Sequence, residues 1–300
     1  MWKRILSIWL YAGFCICELG CSDESSDNTE ELVYFEDSDT WDPRFEVFVK
    51  ALEFDLENSE AYGISAAVME GGEITFAAAL GSRDAEGQTP LTADTLMQIG
   101  STTKQMTAVA LLRTVDQGKI SLETSIDSVL PQLEFSRMND WDNTISIHYL
   151  LSHQSGIVDW ATWIGASDDG ALASYSYDTF NKHAYVMNSP GLFYNYSNSN
   201  FALAALVTEA LDKRTWPDVL TEDVFLPLGM ERTFIRKAKV KEDANYSLSF
   251  GFHPAKQDQP MMNVNMKAQS DSAWMRPAGL VWTTPKQMMT WAKFIMQGDK

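Results

Sequence analysis

The sequence predicts an α+β fold, and three observations carry that reading. Apolar residues first recur at helical spacing, at Phe45, Phe48, Val49 and Leu52. Two short apolar runs then flank a Gly-Gly pair, which is the pattern of a β-hairpin. The rest of the chain is mostly helical, broken by turn-rich loops. The order is therefore helix, hairpin and then mostly helices, so strands that complete the sheet must come from elsewhere in the chain.

Each element has a local cause. Pro43 to Leu56 reads as an amphipathic helix with its proline near the first turn, where the missing N–H costs nothing. Ile64 to Met69 and Ile74 to Ala79 are the hairpin strands, joined through Glu70-Gly71-Gly72-Glu73. Asp84 to Thr92 is rich in turn formers. Met106 to Val115 is a strongly apolar helix that stops near Gly118. Further helices are expected over Ala202 to Leu211, Pro217 to Val224 and Pro285 to Gln297. No internal repeat or second long apolar segment interrupts the order.

The chain has 300 residues, enough for one large domain or two small ones. Lys and Arg number 23 against 41 Asp and Glu, a formal charge of −18. Phosphate backbones are bound by clustered cations, so nucleic acid is excluded as a natural partner. Docking on an anionic membrane by charge alone is disfavoured too. The hydrophobic fraction of 45% argues against wholesale disorder. All three cysteines, Cys15, Cys17 and Cys21, lie at the N-terminus, so the body has no disulfide, thiolate metal site or cysteine nucleophile.

Lys3 and Arg4 precede an apolar run from Ile5 to Ile16, the form of a secretory signal, which sets residues 1–21 apart as an export segment. Leu19-Gly20-Cys21 is similar to the end of a bacterial lipobox, although Glu18 stands where that motif prefers Leu. Two readings stay open: lipidation of Cys21, which would anchor the protein to a membrane, or ordinary cleavage at a small residue. Residues 22–42 carry nine acidic side chains and no Lys or Arg. Such a segment repels itself and buries little, so it reads as an extended, disordered tether. The localisation expected is exported, periplasmic or extracellular, with or without a lipid tether. Residues 43–300 are then the folded domain.

Ser101-Thr102-Thr103-Lys104 is an S-x-x-K at the start of the apolar helix. Residues three apart share a helix face, so the amine can approach the hydroxyl. A helix N-terminus favours negative charge on the serine oxygen, and a desolvated lysine can serve as a base. The tetrapeptide alone is weak, since chance supplies about one per chain of this length. The plainer reading makes Ser101 a helix cap and Lys104 a solvated charge. Tyr196-Ser197-Asn198 lies in a polar loop that runs straight into the helix from Phe201. A phenol near the Lys ammonium would have a lowered pKa and could shuttle protons, and Asn198 could bond both Lys104 and a substrate amide. The plainer reading is a capping turn. His148 and His153 are five apart and lack the pattern of a zinc-binding H-E-x-x-H, and no G-x-S-x-G, P-loop or dinucleotide fingerprint occurs.

Taken together these segments resemble the serine β-lactamase and penicillin-binding protein superfamily, closest to the branch of class C β-lactamases, D-Ala-D-Ala carboxypeptidases and related esterases. The resemblance runs from about Phe45 to the end. It rests on Leu96 to Lys104, Gly118 to Leu122, Ile145 to Ile157, Tyr196 to Asn198, Leu226 to Thr233 and Ala278 to Thr284. It implies a β-lactamase/transpeptidase-like fold, with an antiparallel sheet flanked by helices plus an all-helical lobe. It also implies roles. Ser101 would be the acylated nucleophile, with its backbone N–H as half of an oxyanion hole. Lys104 and Tyr196 would handle protons, the first acceptor being undecided between them. Asn198 would bind substrate and lysine, and His153 would brace the loop under the site. The reaction implied is hydrolysis through an acyl-enzyme of a β-lactam, a D-Ala-D-Ala-type or peptidoglycan-like peptide, or a small ester, with no cofactor and no metal. Oligomeric state is left open.

The resemblance also marks a departure. The family's third motif, a Lys or His followed by small residues and Gly on a strand closing the cleft, is absent: no K-[ST]-G or H-x-G occurs after Tyr196. The expectation is a C-terminally incomplete domain that lacks the C-terminal sheet strands and leaves the hairpin with an exposed edge. Losing one oxyanion donor typically costs about 10²–10³ in rate. Two readings compete. One is an incomplete copy of a serine hydrolase; the other is an inactive homologue serving as a binding remnant or a non-functional fragment.

Overall fold

A computed structural model describes residues 40–84, 87–135, 145–163, 165–251, 262–264 and 270–297. The expected export segment 1–21 and the tether as far as residue 39 lie outside the described residues. The chain divides into two units, one holding residues 1–97, 245–265 and 284–300, the other residues 98–244 and 266–283.

The first unit is built on a small antiparallel sheet. Strands β1 (Thr40–Trp41), β2 (Gly63–Glu70) and β3 (Glu73–Gly81) are ordered β1-β3-β2, so β2 pairs with β3 alone among the described residues. Gly71 and Gly72 make the hairpin turn with φ of 62° and 90°, a region that side chains disfavour. Regular structure begins ahead of Pro43. Thr40 and Trp41 pair with Ala77 and Phe76, and the Asp42 carboxylate accepts the Arg44 N–H at 2.9 Å, capping the 3₁₀ turn Pro43–Phe45. An acidic pattern hides a strand of two residues, since pairing is decided by the partner.

Helix α1 (Glu46–Glu57) lays Val49, Leu52 and Leu56 on Phe76, Ala78 and Leu80 of β3. Phe45 and Phe48 close on Phe76 with ring centroids 5.3 and 5.1 Å apart. Burying large apolar side chains of this kind yields roughly 1.5–3 kcal/mol each, which is why the helix forms on this face. β5 (Ser249–Gly251) and β6 (Met262–Val264) pair as a further antiparallel couple, and α11 (Pro285–Gln297), with Trp291 buried, packs on β2 and β3. The chain passes from this unit to the next within β4 (Met97–Gln98).

The second unit is helical. Its elements in chain order are α2 (Thr103–Asp116), α3 (Ile126–Val129), α4 (Ile147–Leu151), α5 (Ala171–Tyr175), α6 (Asn181–His183), α7 (Asn198–Asp212), α8 (Trp216–Leu220), α9 (Lys237–Asp243) and α10 (Arg276–Gly279), with the two-residue strand β7 (Trp282–Thr283). α7 is buried continuously from Ser199 to Thr208, so it is the unit's central helix. α2, α4 and α10 pack around it. α2 ends at the left-handed Gly118, φ 69°, as its composition predicts.

Two helices differ from expectation. α7 starts four residues before Ala202, because the polar Ser199 and Asn200 are buried through hydrogen bonds that an apolar count misses. The helix expected over Pro217 to Val224 runs from Trp216 to Leu220 and continues as a π-turn over Thr221–Phe225. One inserted residue per turn shifts the side chains without breaking the apolar pattern.

Among the described residues no helix is long and apolar enough to cross a membrane.

Candidate active site

Ser101 lies in a single 3₁₀ turn, Gly100–Thr102, immediately before α2. Its hydroxyl caps nothing. It receives a hydrogen bond from Lys104 Nζ at 3.0 Å and lies 2.7 Å from the Tyr196 hydroxyl. Lys104 is the second residue of α2, so its side chain runs back along the helix toward that turn. It is 6% exposed, which removes the surface-charge reading. Ser101 itself is exposed, open to a reactant.

The Lys104 ammonium has three N–H groups and three acceptors. They are Ser101 Oγ at 3.0 Å, Asn198 Oδ1 at 2.8 Å and the Ala278 carbonyl at 2.7 Å. Burial drives its pKa from 10.5 down to about 8, against an opposing pull from Asp159. The Tyr196 ring lies beside it, its centroid 4.8 Å from Nζ. The phenol does not have the lowered pKa expected from that ammonium. Burial pushes it up, with the Ser101 hydrogen bond opposing. The two groups therefore diverge: the amine gives up its proton more readily than usual and the phenol holds its proton more firmly.

Tyr196 and Asn198 reach the site because the loop ahead of α7 is anchored on the buried His153. His153 takes a left-handed conformation, φ 58°, and its Nδ1 accepts the Ser197 N–H at 3.1 Å. Its ring stacks on Tyr196 with centroids 4.5 Å apart. Burial first, then the nearby Lys104 charge, lowers its pKa to about 4, so at neutral pH Nδ1 keeps the lone pair that this bond uses. His153 thus braces the Tyr196 loop, the role its segment implies.

Two partners of the site are not singled out by the sequence: Asp159, which lies in no motif, and the Ala278 carbonyl, whose segment resembles a family landmark without pointing to this contact. Asp159 accepts the Asn198 backbone N–H at 2.8 Å and the Asn198 side-chain amide at 3.2 Å. The Ala278 carbonyl sits on the four-residue α10, which Arg276 holds in place. That guanidinium is 3% exposed and donates to Asp271 and Asp169, each at 2.8 Å, and to the Ser167 carbonyl at 2.6 Å. Asp169 also accepts from Arg236, which reaches Asp218 at 2.7 Å. A buried charge is tolerable only when paired this completely. Thr107 Oγ1 donates to the Pro277 carbonyl at 2.7 Å, so α10 is fastened to α2 beside the lysine.

The four residues singled out from the sequence, Ser101, Lys104, Tyr196 and Asn198, thus form one connected hydrogen-bonded cluster. An amine of lowered pKa and a phenol converge on the hydroxyl of one exposed serine, an arrangement that suits acyl transfer.

The sequence model of the Beta-lactamase family matches residues 48–300. Among curated proteins, the D-aminopeptidase of Brucella anthropi is 28% identical over 243 residues, which cover 80% of this chain and 43% of that protein. The unguisins hydrolase ungD' of Aspergillus campestris is 31% identical over 236 residues, 75% of this chain and 43% of that one. The chain therefore spans under half the length of these relatives. Among solved structures, the D-amino acid amidase of Ochrobactrum anthropi SV3 superposes with a TM-score of 0.70 at 21% identity, covering 85% of this chain and 72% of that one. That likeness supports the β-lactamase/transpeptidase-like fold.

Proposed function

The chain belongs to the Beta-lactamase family, and on that premise we propose that it is a serine hydrolase that works through an acyl-enzyme on an amide or ester. The observation that carries the reading is the hydrogen-bond set of Lys104. When the ammonium loses one proton, its two remaining N–H groups stay on Asn198 Oδ1 and the Ala278 carbonyl, both closer than Ser101. The lone pair that appears then faces Ser101 Oγ. Lys104 is the first base: it takes the hydroxyl proton as Oγ bonds to the substrate carbonyl carbon. Tyr196, protonated at neutral pH and 2.7 Å from the same oxygen, supplies a proton to the departing nitrogen or oxygen. The Lys104 ammonium returns its proton to the phenolate, which restores the balance. Water then cleaves the acyl-enzyme with the same groups reversing roles.

For substrate we favour amides of small peptides or amino acids. Support comes from the relatives named D-aminopeptidase and D-amino acid amidase. Export through residues 1–21, with Cys21 as a lipid anchor, is part of the proposal and rests on the N-terminal sequence alone. Metabolic labelling with an alkynyl palmitate, lost in Cys21→Ala, tests it.

The catalytic reading is tested by covalent trapping with a fluorescent fluorophosphonate and a fluorescent penicillin. Labelling by the fluorophosphonate that disappears in Ser101→Ala is the expected result. Labelling that survives Ser101→Ala, or no labelling by either probe, would overturn it. The penicillin arm separates a β-lactam-reactive site from an amidase or esterase site.

A further inference from the structure

We propose that Asp159 is a positioning residue for the reaction: it dictates which end of the Asn198 amide faces Lys104. The inference rests on the hydrolase reading above and adds a residue outside the S-x-x-K and Y-S-N motifs.

An asparagine side chain has an acceptor end and a donor end, and only the acceptor end can serve an ammonium. Nothing in Asn198 itself chooses between them. The choice is made by Asp159, whose carboxylate can only accept. One of its oxygens takes the Asn198 backbone N–H and the other takes the Asn198 Nδ2. The amide's donor end is thereby claimed, and Oδ1 is left for Lys104 at 2.8 Å.

The backbone on either side of Asp159 is tied to α7. The Val158 carbonyl accepts from Ser197 Oγ at 3.3 Å and Ser199 Oγ at 3.1 Å, and Trp160 N–H donates to Ser199 Oγ at 2.9 Å. Residues on both sides of Asp159 are thus tied to the first turn of the helix that carries Asn198. The N-cap residue Ser197 makes no side-chain cap, so Asp159 serves an end N–H of α7 from another segment.

The test uses substitutions of equal size in the full 300-residue chain. In Asp159→Asn the side chain keeps one acceptor for the backbone N–H but turns a donor toward Asn198 Nδ2. With a donor facing it, the Asn198 amide no longer has its donor end claimed, so Oδ1 loses its fixed aim at the ammonium. The plateau rate of Ser101 labelling by a fluorophosphonate, read above the Lys104 break so that the lost Asp159 charge does not enter, is expected to fall about tenfold to a hundredfold, the loss typical of a hydrogen bond to a charged group. The exchange variant Asp159→Asn with Asn198→Asp restores every pairing, because the new amide at position 159 then donates to a carboxylate that still accepts from Lys104. Moving the carboxylate to position 198 pairs it directly with Lys104 and raises the pH of the break, so the comparison is made on the plateau above each variant's own break, where the exchange variant is expected to recover most of the loss. A purely structural role would lower both variants together with their melting temperatures.

A second arm does not depend on hydrolysis. In Ser101→Ala protein, the Asn198 side-chain amide resonances in ¹⁵N NMR are expected to shift when Asp159→Asn is added. Wild-type labelling rates in Asp159→Asn, an exchange variant no faster than the single one, or Asn198 amide resonances that ignore the substitution would each overturn the assignment.

Discussion

The proposal that Lys104 is the first base makes a quantitative demand on the pH dependence of acylation. With a pKa of about 8, about a tenth of the protein carries a neutral amine at pH 7. An unperturbed lysine at 10.5 would leave about three molecules in ten thousand in that form. Burial in this site thus raises the competent fraction about three-hundredfold at neutral pH. The second-order rate of fluorophosphonate labelling reports the free enzyme, so it isolates this group. The logarithm of that rate is expected to climb with unit slope up to a break near pH 8 and then level off. The phenol adds no second break in this range, because burial pushes it upward. Lys104→Arg keeps a cation that does not deprotonate, so its profile should be flat and lower by about 10³ or more. A wild-type rate indifferent to pH between about 6 and 9, or a break near 10.5, would refute the reasoning, and Tyr196 would become the first base.

Three further expectations concern other parts of the molecule. Tyr196→Phe should slow hydrolysis of an unactivated amide by about 10²–10⁴, yet slow a nitrophenyl ester far less, since a nitrophenolate leaves without a proton; equal losses on both would contradict the donor role. Glu209, whose Oε1 accepts the Trp216 N–H at 2.7 Å, has its carboxyl pushed up to about 7 by burial. The folded state then binds that proton more tightly than the unfolded state, so its contribution is complete below about 4.5 and is lost as pH rises through 7. Glu209→Gln should therefore gain stability relative to wild type between about pH 5 and 8.5, by about 2–3 kcal/mol in urea unfolding; a difference that does not change with pH would contradict the shift. Gly156 has φ 73°, and a Cβ there would meet the Asn188 carbonyl oxygen at 2.3 Å. Gly156→Ala is expected to cost on the order of 2–4 kcal/mol, and an unchanged melting temperature would show that the loop gives way without strain.

The parts of this molecule that sequence reveals are those set by neighbours along the chain. Ser101 and Lys104 are three residues apart, and the helix that carries the lysine and follows the serine announces itself through its apolar face. The hairpin is dictated by Gly71 and Gly72, and α11 by its spacing over Pro285–Gln297. The remaining site residues belong to contacts that local pattern cannot encode. Tyr196 meets Ser101 across 95 positions, Ala278 meets Lys104 across 174 and Asp159 meets Asn198 across 39. Tyr196 and Asn198 are legible all the same, because they stand in a motif that resembles a known one. Asp159 has no such motif, and the Ala278 contribution is a backbone carbonyl that any residue carries. The Tyr196 shift runs opposite to expectation for a related reason: proximity to a cation can be inferred from a motif, whereas the depth of burial that opposes it cannot.

The brevity of α10 has a consequence for what insertions this chain could survive. In a longer helix the carbonyls of Pro277 and Ala278 would be consumed by the N–H groups of Val281 and Trp282, four residues on. Here those two N–H groups are engaged elsewhere: Val281 donates to Thr103 Oγ1 at 3.3 Å and Trp282 to the Phe234 carbonyl at 2.8 Å. The helix is cut off after Gly279, and the carbonyls it would have used internally point at α2. Lengthening it by one turn would add no charge, but it would pull the Val281 and Trp282 N–H groups off Thr103 and Phe234. It would also withdraw the acceptor that Lys104 relies on, so a change that adds regular structure and removes no side chain would undo the hydrogen-bond set of the lysine.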